Sequence, residues 1–292
     1  MLNSSTPRKS GCRVKMKLKI TTLSENTAAR TRLLAEWGLS ILVEAEGHKI
    51  LLDTGQSFSA AYNAIALGID LSQIDRIVFS HGHFDHTGGL LPILKIMKKQ
   101  VEVIAHPHIW AAKYGKRPGE REEYAGVPFP KEEAENSGAC FNLTKKPVWI
   151  SENIVTSGEI PMLTDYEEID PVLRVKEKGE LKPDPLWDDQ ALFIKCAKGL
   201  IIILGCAHRG TINTIRHAQK LTGVEPIYAV IGGTHLVRAS PQQMDLTIAE
   251  LLSFGIQRLG ACHCTGLPAS AVMAQTLGDA FFFNNAGTRL TL

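Results

Sequence analysis

The stretch that decides the fold is His81-Gly82-His83-Phe84-Asp85-His86, set directly after RIVFS (residues 76–80), a short segment with an apolar centre. It places three histidines and one aspartate within six residues. Histidine is the commonest metal-binding side chain, and aspartate adds a hard oxygen. A loop at a strand end can turn all four toward one point. A polar surface loop whose histidines meet by chance is the competing reading, and it requires four donors to coincide.

Working outward, residues 41–45 and 49–53 read as two strands joined by the turn Glu46-Gly47-His48. Residues 57–66 read as a helix stopped by Gly68. Residues 89–99 carry apolar positions at helical spacing and a cationic end, which suits a helix C-terminus. Residues 101–105 read as a strand. The stretch 107–188 is different: rich in Pro, Gly, Lys and Glu, with weak periodicity. It is expected to be an insertion or cap rather than a second domain, because core-like pieces flank it.

Beyond it, residues 191–197 and 200–204 form an expected hairpin turning at Lys198-Gly199. Helices are predicted over 211–221 and 241–254, with strands over 227–231 and 258–262. Segments 280–283 and 288–292 are expected to close the sheet. Strands and helices alternate, so the fold class is α/β. The basic, polar residues 1–15 read as a disordered extension, leaving one domain over 16–292.

One short loop rarely completes a catalytic metal site. Three further histidines stand just past apolar strands: His208 in GCAH, His235 in GGTH and His263 in CHC. Strand ends are where sites assemble in α/β sheets. A single histidine so placed is more often an ordinary polar residue, but three with one placement point to a shared centre.

HGHFDH after an apolar strand resembles the HxHxDH signature of the metallo-β-lactamase superfamily. Leu51-Leu52-Asp53-Thr54-Gly55 resembles its early LxDTG element, and His263 its last metal-ligand histidine. The resemblance implies a four-layer αββα sandwich with metals at one edge of the paired sheets. GCAHRG (205–210), GGTHL (232–236) and CHCTG (262–266) resemble a subfamily labelled 7,8-dihydropterin-6-methyl-4-(β-D-ribofuranosyl)aminobenzene 5′-phosphate synthase-like. The superfamily's bridging aspartate is missing: its slot holds Gly205-Cys206. The separate upstream histidine is not evident near Trp187-Asp188-Asp189, and His208 is expected to replace it.

These resemblances imply two divalent ions, one held by His81, His83 and His208, the other by Asp85, His86 and His263. Cys206 would lie at or near the bridge as a soft thiolate ligand; its alternative role is that of a small buried residue. Zinc is favoured, because oxygen-reducing di-iron members carry Glu where this chain has His83; manganese and iron remain open. The chemistry expected is hydrolysis by a metal-activated water, with Asp85 orienting it and His235 as a further catalytic candidate. Asp53 would hold a ligand histidine in its tautomer. Arg209 and Glu159 are the candidate substrate contacts. Lys113, Lys116, Arg117 and Arg121 form a basic segment that either holds an anion or is simply solvated.

The alternatives are the synthase's transfer chemistry and a metal-bound ligand-binding or sensor protein. Thiol redox chemistry at Cys262 and Cys264 is disfavoured by the spacing of an extended backbone. The chain has 292 residues, 44% hydrophobic, and a net charge of +2. That balance argues against a dedicated nucleic-acid surface, and the expected partner is a small molecule, phosphate- or pterin-containing molecules included. No apolar run approaches the roughly 20 residues that span a bilayer. Six cysteines in a chain this long do not suggest a disulfide framework, so a reducing cytoplasm is expected.

Overall fold

The computed structural model describes residues 17–116 and 119–292; the expected extension over 1–15, and Arg117, lie outside the described residues. Two large sheets stack face to face. One has seven strands in the order Arg289–Thr291, Leu18–Ser24, Ser40–Ala45, His48–Leu52, Arg76–Val78, Val101–Ala105 and Ala139–Leu143. The other has six, in the order Phe281–Phe283, Arg258–Cys262, Ile227–Gly233, Gly199–Leu204, Ala191–Cys196 and Ile154–Thr156.

Strand periodicity explains the layers. Successive side chains point to opposite faces, and here both faces are apolar. Ile41, Val43, Ile50 and Leu52 meet Ile201, Ile203 and Ile231 in the core between the sheets. The alternate residues Leu42 and Leu51 face outward, onto a core shared with Ala60, Ala64, Leu90, Ile93 and Leu94 of the helices Ser59–Ala66 and Leu90–Met97. On the second sheet, Leu200, Ile202 and Leu204 face Ile212, Ile215 and Leu251 of the helices Thr211–Thr222 and Pro241–Ser253. The result is the expected αββα sandwich. Each such buried side chain contributes about 1.5–3 kcal/mol, so the double-faced strands hold the layers in register.

The stretch 107–188 is not one insertion. Ala139–Leu143 pairs in parallel with Val101–Ala105, and Ile154–Thr156 pairs with Ala191–Cys196, so both are edge strands of the main sheets. The mixed burial of Ala139–Leu143 and the three-residue length of Ile154–Thr156 hid them from periodicity. The rest of the stretch includes a small four-stranded sheet of Lys113–Gly115, Glu123–Tyr124, Leu173–Glu177 and Glu180–Pro183. The strand Leu18–Ser24 is a further core element not foreseen. The last two strands do not close a single sheet: Phe281–Phe283 joins the second sheet and Arg289–Thr291 the first.

Candidate metal centre

The singled-out residues follow parallel strands that end at one edge. His48–Leu52, Arg76–Val78 and Val101–Ala105 run parallel, as do Gly199–Leu204, Ile227–Gly233 and Arg258–Cys262. Asp53, His81, Cys206, His208, His235 and His263 therefore emerge together. Four residues here hold the left-handed backbone conformation: Asp53 (φ 56°), Ala207 (φ 52°), His235 (φ 49°) and His263 (φ 53°). Non-glycine residues rarely adopt it, and such strain gathers at functional sites. Gly205 lets the two sheet edges touch, since a Cβ there would lie 2.0 Å from Ser80 Oγ.

The side chains converge. His81 Nε2 lies 2.9 Å from His83 Nδ1 and 3.1 Å from His208 Nε2. His86 Nε2 lies 3.2 Å from His263 Nε2 and 3.1 Å from Cys206 Sγ. Asp85 Oδ2 is 3.3 Å from His263 Nε2 and 4.0 Å from His86 Nε2. Two groups, His81 with Cys206 and His208, and His86 with Cys206 and His263, each have ligand atoms within 4.8 Å of one another. Cys206 belongs to both.

The hydrogen-bond network assigns the tautomers. Ser80 gives its one hydroxyl proton to Asp53 Oδ2 at 2.6 Å, so its oxygen can only accept from His81 Nδ1 at 2.9 Å. Asp53 Oδ2 accepts from His86 Nδ1 at 2.6 Å. Asn26 Oδ1 accepts from His263 Nδ1 at 3.0 Å, and the same oxygen takes the Gly38 N–H at 3.2 Å. His81, His86 and His263 thus each turn Nε2 inward, the nitrogen left to an ion. Carboxylate, imidazole and thiol donors in one buried cluster suit a divalent ion of borderline softness.

Electrostatics fit the same picture. Burial drives the His83 imidazole down to about 3 and holds His81 and His208 well below the usual range, so all three are neutral. Burial alone would raise the Asp85 carboxyl, but His86 and His263 hold it below its ordinary range. Burial opposes protonation of His86, yet Asp53 and Asp85 lift it to about 9. His86 Nδ1 keeps its proton toward Asp53, and Nε2 is the nitrogen that gives its proton up to a cation.

The family model of the metallo-beta-lactamase superfamily matches residues 38–184. The chain is 33% identical to the 7,8-dihydropterin-6-methyl-4-(beta-D-ribofuranosyl)-aminobenzene-5'-phosphate synthase of Methanocaldococcus jannaschii, across 92% of this chain and 95% of that protein. This chain belongs to the metallo-beta-lactamase superfamily. A solved metal-dependent hydrolase of that superfamily superposes with a TM-score of 0.82 at 27% identity, covering 94% of this chain and 99% of the other. The metallo-beta-lactamase fold protein YhfI from Bacillus subtilis shares the fold with a TM-score of 0.56 at 12% identity, over 95% and 100% of the two chains. Membership makes the protein a metal-dependent enzyme of a superfamily that includes hydrolases and, in the M. jannaschii relative, a synthase.

Within this superfamily fold the centre opens into a cleft of about 340 Å³. Its floor includes His83, Asp85, Cys206, His208 and His263, and its walls include Trp37, Phe84, Tyr124, Val237 and Arg238. His235 stands on one wall with its ring 4.2 Å from that of His208, and Asp170 Oδ2 lies 3.6 Å from its Nε2. Burial disfavours a charge on His235, but Asp170 and Cys264 raise it to about 10.

Other expected contacts are corrected. Arg209 does not line the cleft: its Nε and Nη1 donate to the carbonyls of Ile160 and Pro185, both at 2.6 Å, and its guanidinium lies over Trp187. Glu159 does not line it either, accepting from His106 Nε2 at 2.9 Å beside Lys145. Lys113 is no surface anion-binder. It is fully buried, 2.8 Å from Asp184 Oδ2 and 2.9 Å from Asp188 Oδ1. Asp188 Oδ2 in turn accepts the Gly82 N–H at 2.8 Å, tying the small sheet to the histidine loop. Of the basic segment, Arg121 alone among the described residues reaches the cleft. Cys262 faces the core between the sheets, while the turn at His263 sends Cys264 toward Cys206. Ser80, Asn26 and Asp170 escaped the sequence reading. Ser80 could have been suspected from its place beside His81, but nothing local marks the other two.

Proposed function

We propose that the protein is a dinuclear metal-dependent hydrolase acting on a small substrate, a phosphorylated one included. The observation that carries this is the set of inward-facing Nε2 atoms on His81, His86 and His263, with Cys206 Sγ shared between the two groups. His81, His83 and His208 would hold one ion, and Asp85, His86 and His263 the other, with Cys206 between. Zinc matches these donors best. When bound, such a pair supplies Lewis acidity and a nucleophile generated from water near neutral pH.

The chain's own residues do the rest. Asp53 holds the proton on His86 Nδ1, so Nε2 keeps facing inward. Asp85, kept ionised by its histidine neighbours, orients the attacking water. His235 on the cleft wall, beside Asp170, supplies a proton to the leaving group. Trp37, Phe84 and Val237 exclude water from one side, and Arg121 and Arg238 meet negative charge on the substrate. All five described cysteines are unpaired, which suits the expected cytoplasmic setting.

A second reading is group transfer, as named for the M. jannaschii synthase; identity of 33% over 92% of the chain favours it. Metal content and product analysis test both. Wild type should carry about two ions per chain, and His83→Ala and His263→Ala should each lose metal and activity. Full metal and activity in both variants would refute the ligand set. A product that incorporates water supports hydrolysis, whereas joining of two substrates supports transfer.

A further inference from the structure

Beside the two histidine groups lies a third cluster. The ligand atoms of Cys206, His235 and Cys264 all fall within 4.8 Å of one another. The geometry points to a third, thiophilic metal position at Cys206, His235 and Cys264, which takes a borderline or soft divalent ion such as zinc or cadmium. It goes beyond the dinuclear reading, whose ligand set it overlaps only at Cys206, and it gives a second role to His235, the proton donor of that reading.

The surroundings are shaped for it. Both ring nitrogens of His235 are buried and lack a hydrogen-bond partner, and a buried polar group left so is costly. Asp170 Oδ2 faces Nε2 at 3.6 Å and favours a proton there, so Nδ1 is the nitrogen that gives up its proton when an ion binds. Cys264 Sγ is held in place by the His235 backbone N–H at 3.3 Å. Gly233 gives that sulfur its room, because a Cβ there would lie 2.6 Å from it. Thr234 and Thr265 fix the two loops together through their hydroxyls at 3.0 Å. All three ligands line the cleft, so an ion has an entry path and an open coordination position. Two sulfurs and one imidazole select against magnesium and calcium, which prefer oxygen.

Titration of the full chain with cobalt(II) and cadmium(II), read as metal per chain and sulfur-to-metal charge-transfer absorption, tests this. Wild type should take up a third equivalent that adds charge-transfer intensity. Cys264→Ser and His235→Ala should each lose that equivalent and retain the other two; the His235 variant leaves the sulfur packing intact and guards against misfolding of the first. Equal uptake by wild type and both variants would overturn the third position while leaving the dinuclear reading standing. A thiolate-rich equivalent that survives His81→Ala but vanishes in Cys264→Ser would support it even if the dinuclear reading failed.

Discussion

Asp53 ends a strand in the left-handed conformation, and every oxygen of its carboxylate is committed: Oδ1 to the Ser80 N–H at 2.7 Å, Oδ2 to the Ser80 hydroxyl and His86 Nδ1. Asp53→Asn would turn an amide toward His86 and shift the ring proton to Nε2, where a metal must bind. Metal affinity should fall about 10–100-fold, measured by chelator competition; unchanged affinity would remove Asp53 from the centre. Asp189 behaves differently. Its buried carboxyl is pushed up to about 7, first by burial and then by neighbouring Asp188, although the Arg209 N–H opposes this. In the unfolded chain it ionises near pH 4. The folded form keeps its proton longer, so stability is full below about pH 4 and is lost as pH rises toward about 7. Asp189→Asn keeps the acceptor for Arg209 and never charges. In chelator-treated protein it should be more stable than wild type at pH 8, by up to about 4 kcal/mol, and equal at pH 4. Denaturant melts at the two pH values decide this.

Among elements, the small sheet is fastened to the histidine loop by one buried cation. Burial disfavours the charge on Lys113, but Asp188 and Asp184 more than compensate. Lys113→Met would strand two carboxylates at 0% exposure. The expected cost is about 3–5 kcal/mol, with weaker metal binding because Asp188 also holds Gly82. Unfolding free energy and metal uptake measured on the same sample check both parts. The sequence does not reveal this connection. Lys113 sits in KYGKRPGER, which reads as a solvated basic loop, and only the fold brings Asp184 and Asp188 against it. The edge strand Ala139–Leu143 was hidden for a related reason: its parallel partner, Val101–Ala105, lies far from it in the chain.

At the scale of the whole molecule, the ligands come from both sheets: His81, His83, Asp85 and His86 follow a strand of the first, and Cys206, His208 and His263 follow strands of the second. Bound ions therefore clamp the sandwich along one edge. At metal concentrations near 100 times Kd, each site adds about 2.7 kcal/mol. Chelation should lower the thermal midpoint by about 5 °C or more, and the effect should vanish in His83→Ala combined with His263→Ala. An unchanged midpoint on complete metal removal, monitored by calorimetry, would argue against the clamp. No helix among the described residues is long and apolar enough to cross a membrane.

The fold class and the heart of the centre were legible in the chain because their signals are local. Four donors within six residues need no tertiary contact to be recognised, and apolar strands ending in histidines mark one edge of a parallel sheet. The roles of Arg209, Glu159 and Lys113 were not legible. A cation in a loop has no sequence mark of its partner, and the packing of the small sheet and of Trp187 decided where each charge went. Tertiary structure alone also brought Asn26 to His263, across 237 positions, and Cys264 to Cys206, across 58. Such contacts depend on how the two sheets meet, and that meeting is set by side chains spread over the whole sandwich rather than by any one segment.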